Sequence, residues 1–467
     1  MISLAQLERL DFAGKNVTVV GLGIEGVDFV RYLAQRGAHV TISDSKTADR
    51  LGDRLAEVEG LGVELSLGRN DDDVITGADA VFVSQSVPLD LPALKRAREQ
   101  GVAMHSMVGL FLELAPGPVI GITGSSGKTT TTALVEQMLR VDERPVFVGG
   151  NIGVGLLEHL PSLRPYEWAL LEVSHTQLQI VERSPHIAAV LNITPNHLDR
   201  FSWDDYRALK ATLIRHQTPE DIAILNYDDP ETRALEPDVR GELLWFSLGP
   251  KIPGDGVFVR DGVAIARWRG LEEALFPLDS VAARGRHNQE NAVAAAAIAT
   301  ACGASAAAIR HAVTIFRGVP HRLERVADVD GVAYYNDSIA TTPERAVAGL
   351  RSFDEPIVLL LGGRHKQLPL DELAREALER CRAVVVFGEA AGLLEEALAA
   401  APNQRRVPVV RVDGLEEAVT SARDLAQTGD VVLLSPACTS YDAYDNFVRR
   451  GEHFREMVGR MQKKGQE

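Results

Sequence analysis

The chain is poor in cysteine, with three in 467 residues. Cys302, Cys381 and Cys438 are odd in number, and no two have the spacing of a metal site. That excludes a disulfide framework and predicts free thiols in a reducing compartment. Basic charge is also short: 49 Lys and Arg stand against 65 Asp and Glu, a net of −16. A general binder of nucleic acid or anionic membrane would need a basic surplus. Phosphate ligands stay open, because single loops, helix ends and lone cations can hold them. No apolar run approaches the ~20 residues of a bilayer span. Met1 to Leu10 has no basic segment followed by an apolar core, so no secretory leader is expected. The expectation is a cytoplasmic protein. What is present is ordinary for a globular protein: 45% apolar and 24% charged residues. At roughly 150 residues per domain, the length suggests about three domains.

Short apolar runs alternate with longer amphipathic stretches almost throughout. Strands alternating with helices give an α/β fold built on parallel sheets. Three blocks stand out. Residues 1–115 open with a strand from Val17 to Val20, a Gly-rich turn, a helix through Phe29 to Gln35 and a strand from Val40 to Ser43. Ala115-Pro116-Gly117-Pro118 reads as a linker. Residues 116–318 begin with a strand from Val119 to Ile122. Residues 319–467 hold strands at Ile357 to Leu361, Ala383 to Phe387, Val407 to Val412 and Val431 to Leu434.

Several motifs carry chemistry. Gly21-Leu22-Gly23-Ile24-Glu25-Gly26 follows a strand and opens a helix, and Asp44 ends the next strand. This is the dinucleotide fingerprint, in which the glycines admit a phosphate close to the helix N-terminus and the acid can bond a ribose. Taken alone it points to a nicotinamide or flavin enzyme, or to some other nucleotide. Thr123-Gly124-Ser125-Ser126-Gly127-Lys128-Thr129-Thr130 also lies between a strand and a helix. It is a P-loop shortened by one glycine, since Ile122 stands where the longer motif has Gly. Its backbone amides would face phosphate oxygens, Lys128 the β/γ-phosphates, and the Thr129 hydroxyl Mg2+. A dehydrogenase has no use for an ATP loop, whereas an ATP-driven ligase can use the first fold to hold a nucleotide-linked substrate.

Glu172 ends the strand from Trp168 to Leu171, a usual Mg2+-ligand position opposite a P-loop. His197, in Asn192 to Arg200 after the strand Ile187 to Leu191, is a candidate metal ligand or proton carrier, with a structural histidine as the alternative. Lys210 lies in a helical stretch from Tyr206 to His216. An exposed helix lysine is the plain reading, but the chain has only nine lysines against forty arginines. Lysine can lose its proton and react with CO2, and arginine cannot. Asn288 and Asn291 share a helix face and suit a purine edge, with an N-cap role competing for Asn288.

The third block adds Pro320-His321-Arg322, Asn336-Asp337-Ser338, Gly362-Gly363-Arg364-His365-Lys366, and Ser435-Pro436-Ala437-Cys438-Thr439-Ser440-Tyr441, with Asn446-Phe447 and Arg450-Gly451 beyond. Several follow strands directly, where α/β sheets bind ligands.

Taken in order, these motifs resemble those of the Mur ligases, the ATP-dependent amino-acid ligases of peptidoglycan synthesis. The resemblance covers most of the chain. It is nearest to the branch that adds glutamate to UDP-N-acetylmuramoyl-L-alanine. It implies a Rossmann-like N-terminal domain for the UDP-substrate, a central P-loop ATPase domain with a parallel sheet, and a Rossmann-like C-terminal domain for the amino acid. The small-molecule substrates, ATP and Mg2+ are the implied partners, without nucleic acid or membrane, and a monomer is expected.

By that resemblance Lys128, Glu172, His197 and Lys210 are catalytic, and Thr129, Glu172, His197 and a carbamylated Lys210 hold Mg2+. Gly124, Ser125, Ser126, Gly127, Lys128, Thr129, Thr130, Asn288, Asn291, Arg322 and Asp337 bind ATP. Ile24, Glu25, Asp44, Ser45, Lys46, Asn151, Ser174, Gln177 and His197 bind the UDP-substrate. Thr341, Lys366, Ser440, Tyr441 and Phe447 surround glutamate. The sequence departs from the family twice. Ile339 stands where Asn-Asp-Ser is usually followed by Lys, and Ser174-His175-Thr176-Gln177 replaces Ser-Ser-Phe-Gln. D-glutamate is the expected amino acid, with L-glutamate the alternative.

Overall fold

The computed structural model describes residues 10–151, 155–196, 201–283, 285–402 and 406–464. The chain forms two compact units, Met1–Val281 with His287–Ile315, and Ala282–Arg286 with Phe316–Glu467.

The first unit contains two sheets. The N-terminal one comprises β1 (Asn16–Val20), β2 (His39–Asp44), β3 (Glu64–Leu67), β4 (Ala80–Val83) and β5 (Ala103–Ser106), in the order β3-β2-β1-β4-β5. All its pairings are parallel. Strand order reverses at β1, so the C-terminal end of β1 is a switch point where an open α/β sheet leaves a crevice. Gly21 to Gly26 occupy that crevice and lead into helix α1 (Ile24–Ala34).

The second sheet has nine strands: β6 (Val119–Thr123), β7 (Val146–Gly150), β8 (Trp168–Glu172), β9 (Ile187–Val190), β10 (Ile222–Asn226), β11 (Glu242–Phe246), β12 (Asp255–Arg260), β13 (Val263–Trp268) and β14 (Leu271–Pro277). Their order is β14-β13-β12-β11-β10-β9-β6-β8-β7. β6 lies between β8 and β9, and the P-loop leaves this second switch point for helix α2 (Lys128–Val141). All five residues of β6 are buried, as expected of a strand covered on both faces. Helices α3 (Trp203–Arg215) and α4 (Arg286–Ala301) complete the surroundings of the loop.

The central sheet is parallel from β12 through β7, as the motif order predicts, and β12-β13-β14 adds an antiparallel edge. The cause is local. Asp261-Gly262 and Arg269-Gly270 all have positive φ, which two-residue hairpin turns need to match strand twist. Asp-Gly is a hairpin signal in sequence, whereas Arg-Gly is not, and Arg269 takes its positive φ from the turn it occupies.

The second unit holds β15 (Glu324–Val329), β16 (Val332–Asn336), β17 (Ile357–Gly362), β18 (Cys381–Phe387), β19 (Val409–Arg411) and β20 (Val431–Ala437), in the order β15-β16-β20-β17-β18-β19. Another positive-φ pair, Asp330-Gly331, joins β15 and β16 as a hairpin. β16, β20 and β17 are neighbours and parallel. Their C-terminal ends therefore gather Asn336-Asp337-Ser338, Ser435 to Ser440 and Gly362 to Lys366 along one margin. Helix α5 (Phe447–Lys464) follows.

Observed strands extend the expected ones by one to three residues, except β9 and β19, which are shorter. The three cysteines are free and buried. Among the described residues no helix is long and apolar enough to cross a membrane.

Candidate active site

The P-loop turns into α2 through Gly127, whose φ of 80° favours glycine. A Cβ there would lie 2.4 Å from Asn291 Oδ1, so α4 packs directly on the loop. The first-turn amides of α2 have no acceptor within the helix and form an anion site with the helix dipole. Lys128 Nζ donates to Gly124 O at 2.9 Å. The loop is held from the neighbouring strand end. Ser125 N donates to Asn192 O at 3.0 Å, and Ser126 N to Asn192 Oδ1 at 2.9 Å. These two amides, offered to phosphate by the sequence reading, are thus engaged with Asn192.

Lys210 does not lie on the surface. It is 1% exposed on the inner face of α3. Its Nζ donates to Gly124 O at 2.9 Å and to Thr123 Oγ1 at 3.2 Å, so two lysine side chains converge on one carbonyl oxygen. Burial, and then the charge of Lys128, hold the Lys210 ammonium well below the ordinary lysine range, and Glu172 opposes them only in part.

Glu172, at the end of β8, is 3% exposed. Its Oε1 accepts from Asn151 Nδ2 at 2.9 Å, and Asn151 N donates to Glu172 O at 2.8 Å. Its Oε2 is buried and accepts no hydrogen bond from the described residues. A buried carboxylate oxygen without a donor is costly unless something else meets it. The Glu172 carboxylate and Thr129 hydroxyl are hard oxygen donors of the kind Mg2+ prefers. The donor set fits that ion. His197 lies outside the described residues.

Asn288 is inside the first turn of α4, which starts at Arg286, so it is not the N-cap. Its Oδ1 accepts from Asn291 Nδ2 at 3.3 Å, and Asn291 Oδ1 accepts from Thr131 Oγ1 at 3.4 Å. The two amides share one face, as their spacing predicted.

At the first switch point, Gly21 has φ of 88° and Gly26 sits against Gly21 O. A Cβ on Gly23 would meet nothing within 4 Å, leaving space at the helix end. Asp44 spends both oxygens on backbone: Oδ2 accepts from Leu22 N and Oδ1 from Lys46 N, each at 2.8 Å. It therefore shapes the Gly-rich turn. Ile24, Ser45 and Lys46 are exposed beside it. Glu25 points elsewhere. Its Oε2 accepts from Gln85 N at 2.7 Å and its Oε1 from Gln177 Nε2 at 2.9 Å. Ser174 N in turn donates to Gln177 Oε1 at 3.0 Å.

In the second unit, Lys366 Nζ donates to Thr341 Oγ1 at 3.2 Å, bringing two of the expected glutamate residues together. Tyr441 is 62% exposed, whereas Ser440 is buried. Phe447 opens α5, and its carbonyl accepts from Ser338 Oγ at 2.8 Å. Ile339 N donates to His321 O at 3.1 Å. Arg322 is half-buried.

Family models match most of the chain. The Mur ligase MurD-like N-terminal domain matches residues 15–106, the Mur ligase middle domain residues 122–299, and the Mur ligase glutamate ligase domain residues 321–438. A UDP-N-acetylmuramoylalanine–D-glutamate ligase of Symbiobacterium thermophilum is 42% identical over 446 residues, 95% of this chain and 98% of that one. The chain belongs to the Mur ligase family. The ligase of the same name from Koribacter versatilis is 38% identical over 97% of this Mur ligase and 99% of its own length. Two solved structures share the fold. The UDP-N-acetylmuramate–alanine ligase MurC of Thermotoga maritima has a TM-score of 0.53 and 20% identity over 96% of this chain and 99% of its own. MurF of Acinetobacter baumannii has a TM-score of 0.57 and 19% identity over 99% of each.

Two residues of this Mur ligase have no role assigned from the sequence but hold the site together. Tyr206 is 1% exposed, with its hydroxyl 3.1 Å from Ser125 Oγ and its ring 5.3 Å from Lys210 Nζ. It precedes Lys210 by one helical turn, which was the available signal. Arg450, also 1% exposed, donates to the carbonyls of Ser338, Gly362, Cys438 and Thr439 at 2.9 to 3.3 Å. It ties the ends of β16, β17 and β20 to α5. Burial pulls its guanidinium down to about 10, still a cation at neutral pH.

Asp337 gives a pH prediction. Burial pushes its carboxyl up to about 7, against hydrogen bonds from Ser435 Oγ (2.8 Å) and Leu323 N (3.2 Å) and the charges of Arg322 and Arg345. Its unfolded value is about 3.9. Between these values the folded state keeps a proton that the unfolded chain releases, so stability falls as pH rises through the window, by at most about 1.4 kcal/mol per pH unit. Asp337→Asn keeps the shape and both hydrogen-bonding positions without the charge. It is expected to melt several degrees above the parent at pH 8 and close to it at pH 4.5. Melting curves at the two pH values check this, and an equal offset at both would remove titration as the cause.

Proposed function

We propose that this Mur ligase forms an amide between the L-alanyl carboxylate of UDP-N-acetylmuramoyl-L-alanine and the amine of D-glutamate, a step of peptidoglycan precursor synthesis, with ATP converted to ADP and phosphate. The observation that carries the chemistry is the convergence of Lys128 and Lys210 on Gly124 O, with the Glu172 carboxylate nearby, its Oε2 buried and without a donor among the described residues. The names of the relatives at 42% and 38% identity support the choice of amino acid.

The alanyl carboxylate attacks the γ-phosphorus of ATP, and ADP leaves with the electrons of the broken P–O bond. The product is an acyl phosphate. The glutamate amine adds to its carbonyl carbon, and the tetrahedral adduct expels phosphate and loses a proton. Both steps move negative charge between oxygens, so fixed positive charge and oriented amides supply most of the catalysis. Lys128 and the first-turn amides of α2 stabilise the transferring phosphoryl group, with Gly124, Ser125, Ser126, Gly127, Thr129 and Thr130 forming the loop around it. Thr129 and Glu172 would hold Mg2+, which when bound neutralises phosphate charge and polarises the phosphoryl oxygens.

Lys210 is assigned as a second oxygen donor after carbamylation. Its neutral amine adds to CO2 and releases a proton, converting a cation into a carboxylate. Burial beside Lys128 favours the neutral form that this reaction requires. His197 is assigned to the same ion and to the UDP-substrate. Asn288, Asn291, Arg322 and Asp337 are assigned to ATP, and Ile24, Glu25, Asp44, Ser45, Lys46, Asn151, Ser174 and Gln177 to the UDP-substrate, Asp44 and Glu25 through the turn and helix they hold. Lys366 pairs with a glutamate carboxylate, beside Thr341, Ser440, Tyr441 and Phe447.

The test is phosphate release from ATP in the presence of UDP-N-acetylmuramoyl-L-alanine with D-glutamate, L-glutamate or no amino acid. Release with D-glutamate alone is expected. Release with L-glutamate alone would move the specificity to the other enantiomer, and release with neither would remove the glutamate assignment.

A further inference from the structure

Helix α1 does more than receive a phosphate at its N-terminus. Glu25 and Asp28 lie three residues apart on it, hence on one face. Both reach out of the N-terminal sheet layer to the segments that follow β7 and β8. Asp28 is 4% exposed, and its two carboxylate oxygens accept from consecutive backbone amides, Leu157 N at 2.8 Å and Glu158 N at 3.0 Å. The contact is tight, since a Cβ on Gly155 would stand 2.9 Å from the Asp28 carboxylate. That segment continues from Asn151. Glu25 bonds Gln177 Nε2, and Gln177 Oε1 receives Ser174 N, two residues beyond Glu172. Asn151 and Glu172 are themselves joined through Asn151 Nδ2 and Glu172 Oε1 at 2.9 Å. One helix thus holds Leu157–Glu158 and Gln177, which follow Asn151 and Glu172 in the chain.

We propose that Asp28 and Glu25 are positioning residues that couple occupancy of the Gly-rich turn by the UDP group to the geometry of Asn151 and Glu172 at the P-loop. A ligand that orders the N-terminus of α1 orders the helix, and four hydrogen bonds carry that order to Leu157–Glu158 and to Ser174–Gln177, on the chain segments that follow Asn151 and Glu172. Coupling of this kind is reciprocal: each ligand changes the other's affinity by one factor. The inference rests on the reading that Gly21 to Gly26 take the UDP group.

The experiment is calorimetric titration of the full chain with a non-hydrolysable ATP analogue and Mg2+, with and without saturating UDP-N-acetylmuramoyl-L-alanine. In the parent, the UDP-substrate is expected to tighten analogue binding by about 5-fold or more. Asp28→Asn can accept only one of the two amides and turns an NH2 toward the other. It is expected to bring the factor within about 2-fold of unity while leaving analogue affinity measured alone near the parent's. Glu25→Ala, which removes the acceptor of Gln177 Nε2 and so breaks the other branch, is expected to lower the factor to an intermediate value. It carries the test by itself if Asp28→Asn does not fold. A merely structural role would lower melting temperature and leave the coupling factor unchanged. A parent factor near one, or full coupling in the variants, overturns the inference. If the parent does not bind the UDP-substrate at all, the functional reading itself has failed, which direct titration of that substrate distinguishes.

Discussion

Lys128→Ala is expected to lower turnover by at least about 10²–10³-fold, the usual effect of removing one fixed donor to a developing anion in a closed site. Lys128 leads α2 and lies over the loop, with Nζ 2.9 Å from Gly124 O. Its replacement leaves the loop's glycines, its anchoring to Asn192 and the α2 amides in place. Phosphate release should collapse while the chain still melts cooperatively within a few degrees of the parent. Release at more than about a tenth of the parent rate would show that the loop does not serve phosphoryl transfer as assigned.

The second large effect is expected at Lys210. Lys210→Ala removes a buried side chain that meets Gly124 O and Thr123 Oγ1, and turnover should fall by about 10²-fold or more. Two further measurements separate the possible causes. If Lys210 acts as a carbamate, formate or acetate added to Lys210→Ala should restore part of the rate, because a small carboxylate can occupy the space vacated and supply the oxygens. Lys210→Arg should stay inactive, because arginine keeps the cation and cannot take up CO2. An active Lys210→Arg would mean that positive charge alone is needed. Failure of both carboxylates to rescue, with an inactive Lys210→Arg, would leave packing against Tyr206 as the role of the residue.

These two lysines show how unevenly the sequence spoke. Lys128 was legible at once, because strand, Gly-rich turn and helix in order determine where a P-loop lysine must lie. Lys210 had no motif of its own, and a lysine on an amphipathic helix is ordinarily solvated. Only the packing of α3 against the end of β6 buries it, and burial beside Lys128 is what lowers its affinity for protons. Asp44 shows the reverse case. Its place at the end of β2 suggests a ribose contact, and in the fold each oxygen also accepts from a backbone amide, a local demand that spacing does not reveal.

The sequence by itself determined the alternation of strands and helices and the strand-end position of nearly every motif. These depend on periodicity and on turn residues, which act over a few positions. It also contained the Asp-Gly pair that bends the edge of the central sheet into an antiparallel hairpin. The tertiary structure decided the contacts between segments far apart in the chain: Asn291 against Gly127, Asn192 on the P-loop amides, Asp28 on the Leu157–Glu158 turn, Arg450 across four carbonyls. Such contacts follow from strand order and from which faces are buried together. A buried polar group must find its partner wherever the fold brings one, and linear spacing carries no record of that choice.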